Sequence, residues 1–239
     1  MPMKNDKNNE KNSSLLEDYD PWKIESMARV YDRIAANFST KRQRPWKEVT
    51  VFLSDLQKNE IVLDLGCGNG RHSKIITKKN AQAICLDLSF NLLKVARNYL
   101  SPSNEKQISL VNAEGQLLPF NDESFDRIIL IAVIHHLSTK EARFELVKEA
   151  TRVLKQDGML FLSCWLKTHP RFKKDDLRPQ IEAGKKDVLV PWVLPNGKKI
   201  KRYYYLFNPQ EFVSLIEKTN LQIITQEIAY HNLYLTVQK

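Results

Sequence analysis

The period of the apolar positions changes near residue 61. Before it, Ile24, Met27, Tyr31, Ile34, Ala35 and Phe38 recur at spacings of three and four, which predicts an amphipathic helix over 24–38. Pro45 then opens a second helix, PWKEVTVFLSDL, at the first-turn position where proline is tolerated. From Ile61 the short run IVLDL ends in Gly66-Cys67-Gly68-Asn69-Gly70, a buried strand entering a tight turn. Strand-like and helical segments alternate after that. AQAICLDL precedes the helix FNLLKVARNYL, for which Ser89 is the natural cap. ISLVNAEG and the long apolar SFDRIILIAVIHH are strand-like, TKEARFELVKEATRVL is helical, and MLFLSCW follows Gly158. Continuous apolar strands separated by helices predict a parallel sheet covered on both faces.

The regularity stops after Trp165. Residues 167–202 are rich in Lys, Arg, Pro and Gly and read as a loop-dominated insertion, with 166–207 as a substrate-binding segment. The helix NPQEFVSLIEKTN and two adjacent strands, LQIITQEIAY and HNLYLTVQK, follow. The expected architecture is one doubly wound α/β domain over 21–239 with a basic insertion before its final helix. A polar, disordered tail is expected over 1–20.

Hydrophobic residues make up 42% of the chain, enough for a real core. No run approaches the roughly 18 apolar residues of a membrane span, and Met1 to Asn12 has no apolar stretch of the signal-peptide kind. Cys67, Cys85 and Cys164 lie far apart, which argues against a disulfide framework or a zinc cluster and points to a reducing cytoplasm. The net charge of +9 suggests a polyanionic partner, although ordinary solubility charge would give the same composition.

Candidate chemistry gathers at the carboxyl ends of the predicted strands, the ligand edge of an open α/β sheet. The glycine-rich turn lets the backbone approach a ligand where a Cβ would collide. Asp87 ends the second strand, where an acidic residue meets the hydroxyls of a ribose. Ala113-Glu114 follows the third strand and could flank an adenine. Ile131-Ala132-Val133-Ile134 ends the fourth and faces the same crevice.

The series LDLGCGNG, LDLS, and NAEGQLLPF with SFDRIIL resembles the motifs of class I methyltransferases. The resemblance covers residues 61–165. It implies a seven-stranded sheet whose last strand runs antiparallel, and S-adenosylmethionine as cofactor. It further implies Asp64 and the glycine loop near the methionine portion, Asp87 on the ribose and Glu114 near the adenine. The cofactor-binding set on this reading is Arg42, Asp64, Gly66, Gly68, Asn69, Gly70, Asp87, Leu88, Ala113, Glu114 and Ala132.

Three further segments, VYDRIAANFSTKRQRPW, IAVIHHLST and DVLVPWVLP followed by KRYYYLF, resemble one methyltransferase family closely. That family converts 5-carboxymethyluridine at the wobble position of tRNA into its methyl ester. His135 and His136, as adjacent strand residues, would face opposite sides. The resemblance implies His136 in the active site, where it could otherwise be a hydrogen-bonded support of the loop, and Arg42 matches an arginine of the family's N-terminal segment. Arg44 is a rival in the same loop. Asp187 and Trp192 match the family pattern, and an indole there could stack on a splayed base or anchor the insertion as a core residue. Arg143 could reach phosphate or carboxylate, or be a surface charge. Arg202, Tyr203 and Tyr204 combine a cation with aromatic faces, and strand alternation allows one tyrosine to face the substrate.

A carboxylic acid with a pKa near ~4 is ionised at neutral pH, so the reaction needs positioning and needs no general base. The insertion's Arg171, Lys173, Lys174, Arg178, Lys185, Lys186, Lys198, Lys199 and Lys201 would bind tRNA phosphates. The resemblance also implies a small zinc-binding activator protein, and the edge strand ISLVN offers it a place for strand addition. A small-molecule methyltransferase would share every cofactor motif. The intact glycine loop and Asp87 argue against a non-catalytic RNA-binding protein.

Overall fold

The computed structural model describes residues 26–101, 107–173, 177, 181 and 184–239. The 1–20 tail, Ile24, Lys174 and Arg178 lie outside that set. In chain order the strands are β1 (Ile61–Leu65), β2 (Gln82–Asp87), β3 (Ile108–Asn112), β4 (Phe125–Ile131), β5 (Leu154–Trp165), β6 (Asp187–Val193), β7 (Lys199–Tyr205), β8 (Gln222–Ala229) and β9 (Asn232–Gln238). The helices are α1 (Met27–Lys41), α2 (Lys47–Phe52), α3 (Ser73–Lys78), α4 (Phe90–Leu100), α5 (Lys140–Val153) and α6 (Pro209–Ile216).

Seven strands form one sheet in the order β3-β2-β1-β4-β5-β9-β8. The first five are parallel, and β9 pairs antiparallel with both β5 and β8. This is the doubly wound sheet with an antiparallel closing strand that the motif series implied. Alternate residues feed two cores. Leu63, Leu65, Ile128 and Leu130 meet Leu146 and Val147 of α5 on one face, while Val62, Ile129 and Ile131 share the other with Ile76 of α3 and Ala96 of α4. Burial on both faces explains why these runs are apolar without alternation. Strand order reverses between β1 and β4, which opens a crevice at their carboxyl ends.

Three elements differ from expectation. Trp46 caps α2, so Pro45 lies before the helix rather than in its first turn. β4 stops at Ile131, and Ile134–His136 form a 3-10 turn, because Ala132 adopts φ +58° and breaks the strand. Residues 187–205 are a β6–β7 hairpin instead of loop. Val188, Val190 and Trp192 alternate inward along β6, and Pro191 is tolerated because a two-stranded ribbon has only edges.

The hairpin and α1 cover the crevice together. Val30 and Ile34 of α1 share a small cluster with Trp192 and Ile200. Asp32 ties α1 to the start of α4, accepting from the Ser89 hydroxyl (2.6 Å) and the Asn91 amide (2.9 Å). Ser89 caps α4 as expected, accepting from the Leu92 amide at 3.1 Å.

Ile34 is fully buried. Ile34→Ala should cost about 2–5 kcal/mol, read as a lower urea midpoint. An unchanged midpoint would mean that the helix–hairpin cluster contributes nothing to stability.

Candidate active site

The loop after β1 folds back over the end of β2. Gly66 and Cys67 both donate their amides to the Leu86 carbonyl, at 2.8 and 2.9 Å. Gly66 has φ +78°, and a Cβ there would meet Val133 Cγ2 at 2.2 Å, so only glycine fits. Gly68 and Ser89 donate their amides to the two Asp87 carboxylate oxygens, each at 2.8 Å. The carboxylate is thereby aimed, with lone pairs left for a ligand's hydroxyls. Burial, with Asp32 nearby, pushes the Asp87 pKa up to about 6.

A cavity opens where these loops face α1 and β7. Of the expected cofactor set, Arg42, Gly66, Gly68, Asn69, Asp87, Leu88, Ala113 and Ala132 line it. Asn69 Nδ2 donates to the Arg42 carbonyl at 2.8 Å, joining the loop to the end of α1. The other three are elsewhere. Asp64 is buried behind the loop and accepts from the Ser73 hydroxyl at 2.5 Å. Gly70 packs against Leu100 and Ala96, seating the loop on α4. Glu114 is exposed and opens a turn that the Leu117 amide closes on its carbonyl (3.3 Å); Gly115 and Gln116 line the cavity in its place.

At the opposite end stand Tyr31, His135, His136, Trp165, Arg202 and Tyr204. Both histidines line the cavity, contrary to the strand-based reading, because the 3-10 turn does not alternate faces. His136 Nδ1 is 2.8 Å from the Tyr203 carbonyl, and Nε2 is 2.8 Å from the Tyr31 hydroxyl. A carbonyl only accepts, so Nδ1 carries the proton and Nε2 accepts from Tyr31. Burial and the nearby Arg202 pull the His136 pKa down to about 3, leaving it neutral. His135 Nδ1 accepts from the Trp165 amide at 3.3 Å. Its Nε2 therefore carries a proton, and that buried atom has no partner. Arg202 is buried, its guanidinium 4.8 Å from the Trp192 ring and 5.2 Å from that of Tyr204. Its Nε also lacks a partner.

Three residues expected at the substrate have other work. Arg143 is buried under Tyr205, 3.7 Å from the ring, and donates to the Leu137 carbonyl at 2.7 Å. It anchors the turn that carries the histidines. Asp187 accepts from the Tyr203 hydroxyl, holding that tyrosine away from the cavity while Tyr204 faces it. Trp192 donates from Nε1 to Asn37 at 2.9 Å and packs on Phe38. That is the core role, and its outer face is not offered to a base. Arg44 lies outside this cavity.

Sequence reasoning passed over Tyr31, Arg71 and Trp165, and set His135 aside in favour of His136. Tyr31 was counted only in the apolar stripe. Arg71 directly follows the glycine loop, which was signal enough. It is buried beside Trp46, and burial together with Arg42 lowers its pKa to about 10. Among the described residues no group of three or more metal-ligating side chains occurs, and no helix is long and apolar enough to cross a membrane.

Residues 63–162 match the family model described as "Methyltransferase domain". The tRNA (carboxymethyluridine(34)-5-O)-methyltransferase of Schizosaccharomyces pombe is 32% identical over 237 residues, covering 91% of this chain and 98% of that one. The chain belongs to the carboxymethyluridine methyltransferase family. The Saccharomyces cerevisiae protein of the same name is 37% identical over 174 residues, which cover 73% of this chain and 58% of that longer relative. A solved complex of the Haloferax volcanii Trm112 methyltransferase activator with a putative methyltransferase has a chain of the same fold. Its TM-score is 0.64 at 14% identity, with 87% of this chain and 96% of that one covered.

As in the family, S-adenosylmethionine is the cofactor, and the residues present fit it. Asp87 is aimed for ribose hydroxyls, the left-handed glycines leave the backbone bare for close approach, and Arg42 with Arg71 offers two cations for a carboxylate. When bound, the cofactor supplies an electrophilic methyl group.

The two raised carboxyls give this protein a pH signature. Burial, with Asp87 adding to it, pushes Asp64 up to about 7. Between pH ~4 and 7 the folded protein holds a proton that the unfolded chain releases, so stability falls as pH rises through this window. Asp64→Asn should make the loss between pH 5 and 8 shallower in urea titrations. Identical slopes would assign the linkage to other groups.

Proposed function

We propose that this enzyme esterifies the carboxyl group of 5-carboxymethyluridine at the wobble position of tRNA. The observation that carries the proposal is the pair of unpartnered buried donors, Arg202 Nε and His135 Nε2, in one cavity wall. Unsatisfied buried donors are costly, and more so on a buried cation that has Tyr31 and Tyr204 beside it but no carboxylate among the described residues. A substrate carboxylate would satisfy both. Among the described residues, Asp87 is the one acidic side chain lining the cavity, and it belongs to the cofactor end.

The proton inventory agrees with a substrate that arrives ionised. His136 is neutral and its lone pair is taken up by Tyr31, so it positions and does not abstract. The chain's task is to orient one carboxylate oxygen and exclude water. The names of the yeast relatives point to the same substrate. Lys198, Lys199 and Lys201 are exposed along the β6–β7 hairpin, and we assign them to tRNA phosphates within the 166–207 substrate segment. The edge strand β3, flanked by exposed Leu88 and Leu117, suits strand addition by a Trm112-like, zinc-binding activator. Such work belongs in the cytoplasm.

The test supplies the protein, co-expressed with its activator, with tRNA from cells lacking this gene. Nucleoside mass spectrometry should show carboxymethyluridine replaced by its methyl ester. Arg202→Met should lower kcat/KM by about 10- to 100-fold, the worth of a charged hydrogen bond, with cofactor affinity within twofold. An unchanged tRNA would move the carboxylate to a small molecule.

A further inference from the structure

We propose that a second cavity, opening off the first, holds the nucleotide next to the target in the same RNA strand. The proposal rests on the tRNA reading above and deepens it. The second cavity has a volume of about 690 Å³, within the range of small-ligand sites. Arg42, Trp46, Arg71 and Trp165 line both cavities, so a strand with one base in the first passes directly over the second.

The chemistry of its wall suits a nucleotide. Lys41, Arg44 and Lys47 add cations at the rim, against the single carboxylate of Glu48 among the described residues. Trp165 and His169 lie face to face at 4.0 Å and 4°, a ready stacking platform. Burial and the neighbouring His231 draw the His169 pKa down to about 4, so at neutral pH this platform is uncharged. Stacking on aromatic faces against a basic rim is how single-stranded nucleic acid is held.

The turn that completes the wall is an independent indication. Tyr230 and His231 form the two-residue β8–β9 loop with φ +49° and +63°. Such loops favour Asn-Gly, because side chains crowd the left-handed backbone. Tyr230 recovers little by packing, since it is 76% exposed while lining the cavity. Leu166 donates its amide to the His231 carbonyl at 3.1 Å, which fixes the turn beside Trp165. A strained turn that projects an unpacked aromatic ring over a cavity is the mark of a site kept for a ligand.

Tyr230→Asn and His169→Ala test the assignment, the first installing a residue that the turn prefers. The substrate is a synthetic anticodon stem-loop carrying 5-carboxymethyluridine, with the enzyme co-expressed with its activator. Each variant should raise KM for RNA about tenfold, with kcat and cofactor affinity within twofold, and Tyr230→Asn should melt no lower than wild type. An abasic nucleotide on one side of the target should weaken wild type equally and weaken the variants no further. Unchanged KM in both variants, or equal sensitivity of variants and wild type to the abasic position, overturns the second site. A wild-type enzyme that leaves the stem-loop unesterified overturns the substrate reading, and this proposal with it.

Discussion

Holding the buried guanidinium of Arg202 in place is what the outer half of the molecule is organised around. Removing a cation from water costs several kcal/mol, and among the described residues no carboxylate pairs with this one. Aromatic faces offset part of that cost, each desolvated cation–π contact being worth about 2 kcal/mol. Trp192 and Tyr204 supply those faces. Trp192 is in turn pinned to Asn37 of α1, and α1 to α4 through Asp32. His135 stacks on Tyr204 at 4.8 Å, and Arg143 holds the turn from which it comes. Helix, hairpin and turn thus converge on one charge, and the uncompensated remainder is available to an anionic substrate.

This arrangement divides labour along the cavity. At the β1–β2 end the backbone does most of the work, with amides aiming Asp87 and left-handed glycines clearing space. At the far end side chains work through neutral histidines with fixed tautomers. His136 takes a hydrogen from Tyr31 and gives one to the backbone of β7. It therefore reports the position of the hairpin to the helix that covers the site. A base poised for proton abstraction would leave a lone pair free, and this one is occupied.

How legible the site was in the sequence depended on how local its determinants are. The glycine loop and Asp87 belong to a strand–turn–helix unit only some twenty residues long, and motif spacing places them well. The sheet was legible because burial on both faces leaves its strands apolar. His135 was misread because VIHH extends an apolar run, and only the left-handed Ala132 ends the strand before it. The β6–β7 hairpin was read as loop because its lysines and Pro191 hide a period of two. Which face Trp192 and Arg143 present depends on packing between segments more than fifty residues apart, and composition carries no record of that. Glu114 was one residue too early for the crevice, an error within reach of any turn whose register is unknown.

The position of β9 bears on how the chain reaches this structure. β9 follows β8 in sequence yet lies inside it, filling the place between β8 and β5. Until residues 232–238 leave the ribosome, one side of β5 has an open ladder of apolar residues, and β8 has nothing to pair with in the sheet. The nucleotide-facing half of the sheet, β1 to β4, can assemble earlier from neighbours in sequence. β5 must wait across some seventy residues for its partner, a long loop closure of the kind that slows folding. Strand order thus makes the last seven strand residues the ones that close the sheet edge, and a chain lacking them would leave β5 open to pairing with other chains.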